Sequence, residues 1–297
     1  MMTQIQTRLL FLPVCLLLAM GTETSAAELL IYPASKSVSS GGYNATKPGQ
    51  IPLSRVARGK RDITSAWLAG ATDRYPHGVL GDELEGSRLV VETPAGNRLQ
   101  VDLPRTRVFE DLEPRLVDLD KDGRDEIIVV ESDTGLGASL AVYGIISKRL
   151  VRKAATPFLG RPNRWLNPLG VGDFNGDGQL DIALVATPHI GGNLRLYQFK
   201  QPHLSLFAEY SAVSTHRIGS TELGLGQVIR TSPRDQFLVP DQSRRSLMVL
   251  EWRRNGWLKI AEVKLPGYLG SSLRPLGDNR WHFTLENRKA YEIQLSR

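Results

Sequence analysis

Asp118-Leu-Asp120-Lys-Asp122-Gly123-Arg124-Asp125-Glu126 runs into Ile-Ile-Val-Val, and 55 residues later Asp173-Phe-Asn175-Gly-Asp177-Gly178-Gln179-Leu180-Asp181 runs into Ile-Ala-Leu-Val. Both stretches place oxygen-bearing side chains at positions 1, 3 and 5, a glycine for the sharp turn at position 6, and an acid at position 9. Hard oxygen ligands at that density suit Ca2+, which accepts six to eight oxygens at about 2.3–2.6 Å, better than a soft or tetrahedral metal. The residue at position 7 adds a backbone carbonyl. A helix-flanked calcium loop needs an acid at position 12, but that position is Val129 in one copy and Leu184 in the other, inside β-like runs. Solvated hairpin turns share the Asp and Gly content; two copies in one register argue for more than turns.

Degenerate copies extend the repeat in both directions. Asp73-Arg-Tyr75-Pro-His77-Gly78 keeps part of the pattern, Leu223-Gly-Leu-Gly226-Gln227 leading to Asp235 repeats it, and Leu276-Gly-Asp278 starts a fifth copy. The copies at Asp73 and Gln227 lack the acids and are expected to bind no metal. Each copy is followed by a short strand-like run, then by a second (Arg88–Thr93, Ser139–Ile145, Asn193–Phe199, Ser246–Trp252) and a third (Arg98–Leu103, Leu150–Ala155, Leu204–Tyr210, Leu258–Leu265). β-Branched and aromatic residues dominate these runs, Gly, Pro, Asn and Asp separate them, and no segment has a helical period. Four strands in about 50 residues is the size of a propeller blade. The expected fold is an all-β, five-bladed β-propeller of four-stranded blades. Its last blade has three strands of its own, so the N-terminal run Glu28–Tyr32 is expected to complete it and remove a free sheet edge. A sixth blade would need strands hidden in residues 33–62, whose Ser-Ser-Gly-Gly and Lys-Pro-Gly-Gln stretches read as a mobile connection.

The 297 residues, 41% hydrophobic and 23% charged, exclude a wholly disordered chain and suit one large closed unit. Arg8, the apolar run Leu9–Met20 and the small residues Thr24-Ser25-Ala26-Ala27 have the layout of a secretory signal peptide ending near residue 26. That run is shorter than the roughly 20 residues of a membrane helix, and no later segment is long enough, so no transmembrane segment is expected. Cys15, the sole cysteine, falls within the signal, which leaves the mature chain without disulfides in an oxidising compartment. Lipid attachment at Cys15 is disfavoured because Val14 is bulkier than a lipobox wants. The organisation expected is a signal at 1–26, a closing strand and basic flexible linker at 27–62, and the propeller at 63–297. The net charge of +6 is local: Lys36, Lys47, Arg55, Arg58, Lys60 and Arg61 lie between Pro33 and Arg61 without an acid. Secretion and the lack of interleaved aromatics argue against nucleic acid as its partner.

The two loops, each leading into an aliphatic strand, resemble FG-GAP or VCBS repeats, the blade motif of integrin alpha subunits and of many secreted bacterial proteins. The resemblance spans roughly residues 63–297 and is specific at two loops. It implies Ca2+ ligation by Asp118, Asp120, Asp122, Glu126 and the Arg124 carbonyl, and by Asp173, Asn175, Asp177, Asp181 and the Gln179 carbonyl. Integrin propellers have seven longer blades, so integrin ligands are not carried over.

With calcium loops on one face, the connections from second to third strands and between blades fall on the other. There the candidate ligand residues are Arg161, Arg164, Trp165, His189, Arg217, Arg244, Arg245 and Tyr268. Converging guanidinium groups favour carboxylate, sulfate or phosphate, hence an anionic glycan, a surface polymer or an acidic protein partner. Ordinary solvated loop charges are the competing reading. Sequence-local signatures of hydrolases and nucleotide enzymes are missing. The expected function is therefore non-enzymatic binding or scaffolding by a calcium-stabilised, secreted or periplasmic protein. The alternative is a polysaccharide lyase or glycosidase with its site over the channel, where His189 with Tyr268 or Arg217 would serve.

Overall fold

The computed structural model describes residues 27–34, 46–254 and 256–296. The signal peptide reading and part of the basic stretch lie outside these residues. Among the described residues no helix is long and apolar enough to cross a membrane.

The chain is all-β. It opens with β1 (Glu28–Pro33), followed by a meander of β2 (Ala57–Arg58), β3 (Ser65–Thr72), β4 (Glu85–Glu92) and β5 (Arg98–Asp102). After the short β6 (Arg107–Phe109) comes a second meander, β7 (Arg115–Val117), β8 (Glu126–Asp133), β9 (Gly137–Ile146) and β10 (Arg149–Ala155). The third is β11 (Leu166–Gly172), β12 (Asp181–Ala186), β13 (Asn193–Lys200) and β14 (His203–Ser211). The fourth is β15 (Gln227–Ile229), β16 (Gln236–Pro240), β17 (Ser246–Arg253) and β18 (Gly256–Lys264), and the chain ends with β19 (Arg274–Gly277), β20 (Arg280–Thr284) and β21 (Ala290–Ser296). All pairings are antiparallel, and β1 lies beside β21, Leu29 opposite Leu295 and Ile31 opposite Ile293.

Three of the five sheets are separate four-stranded units, whereas the first two join into one nine-stranded sheet. The link is β6: Phe109 pairs with Gly86 on β4 and with Glu131 on β8. The expected linker also differs. Gln50 bridges to Ala69, β2 pairs with β3, Ile51 is buried, and Lys47 pairs with Glu92 and lies over the Trp67 ring. Charge composition suggested a solvated segment there, but Lys47, Arg55 and Arg61 pair with Glu92, Glu113 and Asp125.

Alternation along the central strands explains how the sheets stack. Ile127 and Val129 of β8 pack towards the first meander with Leu68, Leu89 and Phe109, whereas Ile128 and Val130 pack towards the third with Ile182 and Leu184. Ala183 and Val185 of β12 meet Phe237 and Val239 of β16, and Leu238 meets Trp281, Phe283 and Ile293 of the last sheet. Four apolar layers thus hold five sheets together in chain order. Antiparallel connectivity then sends the turns to two opposite sides. The β7–β8 and β11–β12 loops share one side, and the β3–β4, β8–β9, β12–β13, β16–β17 and β20–β21 loops share the other. The copy read at Asp73 is displaced by this result: it lies between β3 and β4, away from the calcium-type loops, because Asp, Gly and Leu at such spacing fit any turn.

Candidate metal loops and the opposite face

In both loops the position-6 glycine adopts a left-handed turn, φ +86° at Gly123 and +82° at Gly178, where a side chain would be strained. In the second loop Asp173 gathers backbone donors: Oδ1 accepts from Gly176 (2.7 Å) and Asp177 (3.1 Å), and Oδ2 from Gly178 (2.9 Å). Asn175 Oδ1 accepts from the Asp177 amide, and Asp177 Oδ1 from the Gln179 amide. Asp181 is fully buried; Oδ2 accepts from the Phe174 amide at 3.2 Å, and Oδ1 has no hydrogen-bond partner among the described residues. Burial pushes the Asp181 carboxyl up to about 7, opposed by the Phe174 amide and reinforced by the charges of Asp177 and Asp173. No ion pair involving Asp173, Asp177 or Asp181 occurs among the described residues. The orphaned buried oxygen and the carboxylates without ion pairs are features that a divalent hard cation held by Asp173, Asn175, Asp177 and Asp181 would satisfy, with the Gln179 carbonyl available, although Lys121 Nζ donates to the Gly178 carbonyl and Arg234 Nε to the Asn175 carbonyl at 3.1 Å beside it.

The first loop brings carboxylate oxygens of Asp118, Asp120 and Glu126 within 4.8 Å of one another, and Asp118 Oδ1 is buried without a partner. Its charges, however, are already met. Lys153 Nζ lies 2.5 Å from Glu126 Oε1 and 3.4 Å from Asp120 Oδ2, and Arg61 Nε lies 3.5 Å from Asp118 Oδ2. Asp122 Oδ1 accepts from the Arg124 amide at 2.8 Å, and the Arg124 guanidinium reaches Asp62 at 3.2 Å and the Ile145 carbonyl. A divalent ion could reach these converged acids only by displacing Lys153 and Arg61 from them.

Residues 118–184 match the FG-GAP-like repeat family. The FG-GAP-like segment therefore contains both loops, starting directly after β7 and ending within β12. Among solved structures, a hypothetical selenium-binding protein from Sulfolobus tokodaii is similar at 14% identity and a TM-score of 0.43, over 80% of this chain and 55% of that one. The chain thus spans little more than half of that protein's length. The comparison with curated proteins gave no match.

On the side opposite the FG-GAP-like loops, the expected ligand residues divide. Trp165 is 2% exposed, and its indole donates to the Glu110 carbonyl at 3.0 Å, so it is a core residue and does not face a ligand. Its ring stacks on His189, 6.1 Å between centroids at 10°. His216 Nε2 donates to the Ser220 carbonyl (2.8 Å), which leaves Nδ1 to accept from His189 Nε2 at 2.9 Å. Burial lowers His189 to about 3 and His216 to about 4, so both rings are neutral at pH 7. Arg244 meets Glu286 at 3.0 Å and the Leu269 carbonyl at 3.1 Å, Arg217 lies 4.0 Å from Glu286, and Arg245 sits 5.1 Å over the Tyr268 ring.

Arg161 and Arg164 differ from these. They line a cleft of about 550 Å³ with Phe158, Tyr197 and Arg195. Among the described residues neither has a carboxylate partner, although Arg195 pairs with Glu209 at 2.7 Å. A second cavity, about 440 Å³, is lined by Arg55, Arg115, Gly170, Gly226 and Ser272, which come from or adjoin the first strand of each sheet in turn. Two features of this side escaped the sequence reading. His77 Nδ1 contacts buried Glu110 at 2.5 Å, and Glu110 also accepts from Ser132. Burial pushes nearby Glu85 up to about 10, with the Glu110 charge adding to it. Such pairs join loops distant in sequence, so no local spacing announces them.

Proposed function

We propose that the protein is a five-bladed β-propeller, stabilised by Ca2+ at the Asp173–Asp181 loop, that acts outside the cytoplasm as a non-enzymatic binding or scaffold protein for an anionic glycan or an acidic protein. Support for the propeller comes from the five sheets stacked in chain order, from β1 completing the last of them, and from a cavity lined by residues in or beside the first strand of each. The apolar run and small residues at the N-terminus support export. Without disulfides, an ion bound only by the folded state would supply stability of about 2.7 kcal/mol at a hundred times its Kd.

One observation carries the binding role: the Arg161 and Arg164 guanidinium groups share a cleft with aromatic rings and lack carboxylate partners among the described residues. Planar guanidinium donors pair with carboxylate or sulfate bidentately, and aromatic faces suit sugar rings or apolar side chains. The remaining expected arginines, Arg217, Arg244 and Arg245, are engaged within the protein. The test is binding of sulfated and uronate oligosaccharides and of polyglutamate to the wild-type chain and to Arg161→Glu/Arg164→Glu. Binding weakened at least tenfold by the double substitution, with no products released, is the expected result. Unchanged affinity removes the cleft from the proposal, and release of shortened or unsaturated products makes the protein an enzyme.

A further inference from the structure

The two FG-GAP-like loops share a ligand pattern but differ in how the cations beside them are used: Lys121 and Arg234 donate to backbone carbonyls of the second loop, whereas in the first the cations meet the carboxylates themselves. In the second meander the β9–β10 register shifts between Arg152 and Ala154, so Lys153 is left unpaired at a β-bulge and turned towards the loop. Its side chain is 8% exposed. The ammonium meets Glu126 at 2.5 Å and Asp120 at 3.4 Å, and it also lies 5.6 Å from the centroid of Phe199, a residue of the next sheet. Across the pair stands Gly144, where a Cβ would lie 2.7 Å from Lys153 Cδ. The lysine stem passes through the space that this glycine leaves.

The third meander has the same bulge, between Leu196 and Tyr197, and the residue left out there is Phe207, which packs in the apolar layer. The fourth leaves out Ile260, also an apolar-layer residue. The position matching Gly144 in the third meander is Gln198, and its side-chain amide donates to Asp177 Oδ2 at 3.0 Å. Thus the bulge carries an apolar side chain in the third and fourth sheets and a lysine in the second, where it pairs with acids of the Asp118–Glu126 loop; the corresponding loop of the fourth has an ion pair of its own, Arg230 with Asp235 at 2.6 Å. Arg61 adds a second fixed cation, 3.5 Å from Asp118 and 2.7 Å from Asp125.

We infer that Lys153 is a built-in cation that takes the place of a metal ion in the Asp118–Glu126 loop, so that the folded chain binds one Ca2+, at the Asp173–Asp181 loop, and not two. An ammonium supplies three donors and one positive charge. With Arg61 it neutralises positions 1, 3 and 9 of the loop, so a divalent ion would have to enter against a buried ammonium and a half-exposed guanidinium. The inference rests on reading both loops as cation loops, and its test separates the two claims.

The chelator-stripped mature protein is titrated with Ca2+ by calorimetry, alongside Asp122→Ala, Asp177→Ala and Lys153→Met. The expected stoichiometry is one per chain in the wild type, one in Asp122→Ala, none in Asp177→Ala and two in Lys153→Met. Two ions in the wild type, one of them lost in Asp122→Ala, overturns the lysine substitution and leaves the calcium reading intact. No ion in the wild type or in Lys153→Met overturns both. No ion in the wild type but one in Lys153→Met upholds the lysine and removes calcium from the second loop. Where Lys153→Met does not fold, the comparison of wild type with Asp122→Ala and Asp177→Ala still decides: loss in Asp177→Ala alone upholds the inference, and loss in Asp122→Ala overturns it.

Discussion

A buried carboxylate costs several kcal/mol unless donors surround it, and Glu131 meets that condition through three neighbours. It is fully buried, accepts from Tyr143 Oη at 2.5 Å, and pairs with Arg107 at 3.0 Å and Arg152 at 3.4 Å. Burial, and after it the charge of Glu131, raises the Tyr143 hydroxyl, which keeps it protonated as a donor. Replacing Glu131 by Leu should cost about 3 kcal/mol, the low end of the range for breaking a buried pair, because Arg152 is partly exposed and rehydrates. Tyr143→Phe should cost about 1.5–2 kcal/mol, one hydrogen bond to a charged group that keeps its two arginines. Urea midpoints at constant m-value test the order; equal costs would show that the arginines contribute nothing. Neither residue stood out in the sequence, since Glu131 is an acid in an aliphatic strand and its partners come from β6, β9 and β10. The two loops that hold the ten metal-ligand candidates were legible as turns between strands because a turn is local, with its residues fixed by spacing. Lys153 was not, because only the register of β10 against β9 shows that it is the bulged residue.

Loops and strands differ in the same respect. The third and fourth strands of the first four meanders were readable to within a few residues, since each apolar run is bounded by turn residues and needs no partner to identify it. The joining of the first two sheets through β6 was not readable, because three residues form no pattern by themselves. Nor was the tie between the β12–β13 loop and the β14–β15 connection, made by His189 and His216. That tie has a pH signature. Both rings sit below the ordinary histidine value of 6.5, at about 3 and about 4, so from about pH 6.5 downward the unfolded chain takes up protons that the folded chain refuses. Their contribution to stability is complete above about 6.5 and is lost as the pH falls. The raised carboxyls of Glu85 and Glu110 act with opposite sign, the folded state holding protons that the unfolded state has released. A difference measurement isolates the histidines. His189→Phe keeps an aromatic ring against Trp165 and removes one titrating site, so its stability gap from the wild type should narrow between pH 7 and pH 5. Parallel curves from chemical unfolding at each pH would show that His189 titrates freely in the fold.

At the scale of the whole molecule, stability resides in the four apolar layers, and each layer needs both of its sheets. The last layer is completed from the far end of the chain: Leu29 of β1 is 4% exposed and packs with Trp281, Ile293 and Leu295. β1 also supplies the partner for β21, whose outer edge would otherwise offer unpaired amides and carbonyls to other chains. Sequence arithmetic pointed to this pairing, because one meander lacked a strand and one strand lacked a meander. The energetic weight of β1 follows from burial. Leu29→Ala should lower stability by about 2–5 kcal/mol, the cost of a cavity in a packed layer, whereas Tyr32→Ala, at a position 46% exposed, should change it by less than about 0.5 kcal/mol. Because β1 and β21 belong to one sheet, the loss at Leu29 should appear as a shift of the single main unfolding transition and be accompanied by concentration-dependent association in light scattering. A separate early transition, with the main one unmoved, would mean that β1 is an appended strand and that the layered sheets hold together without it.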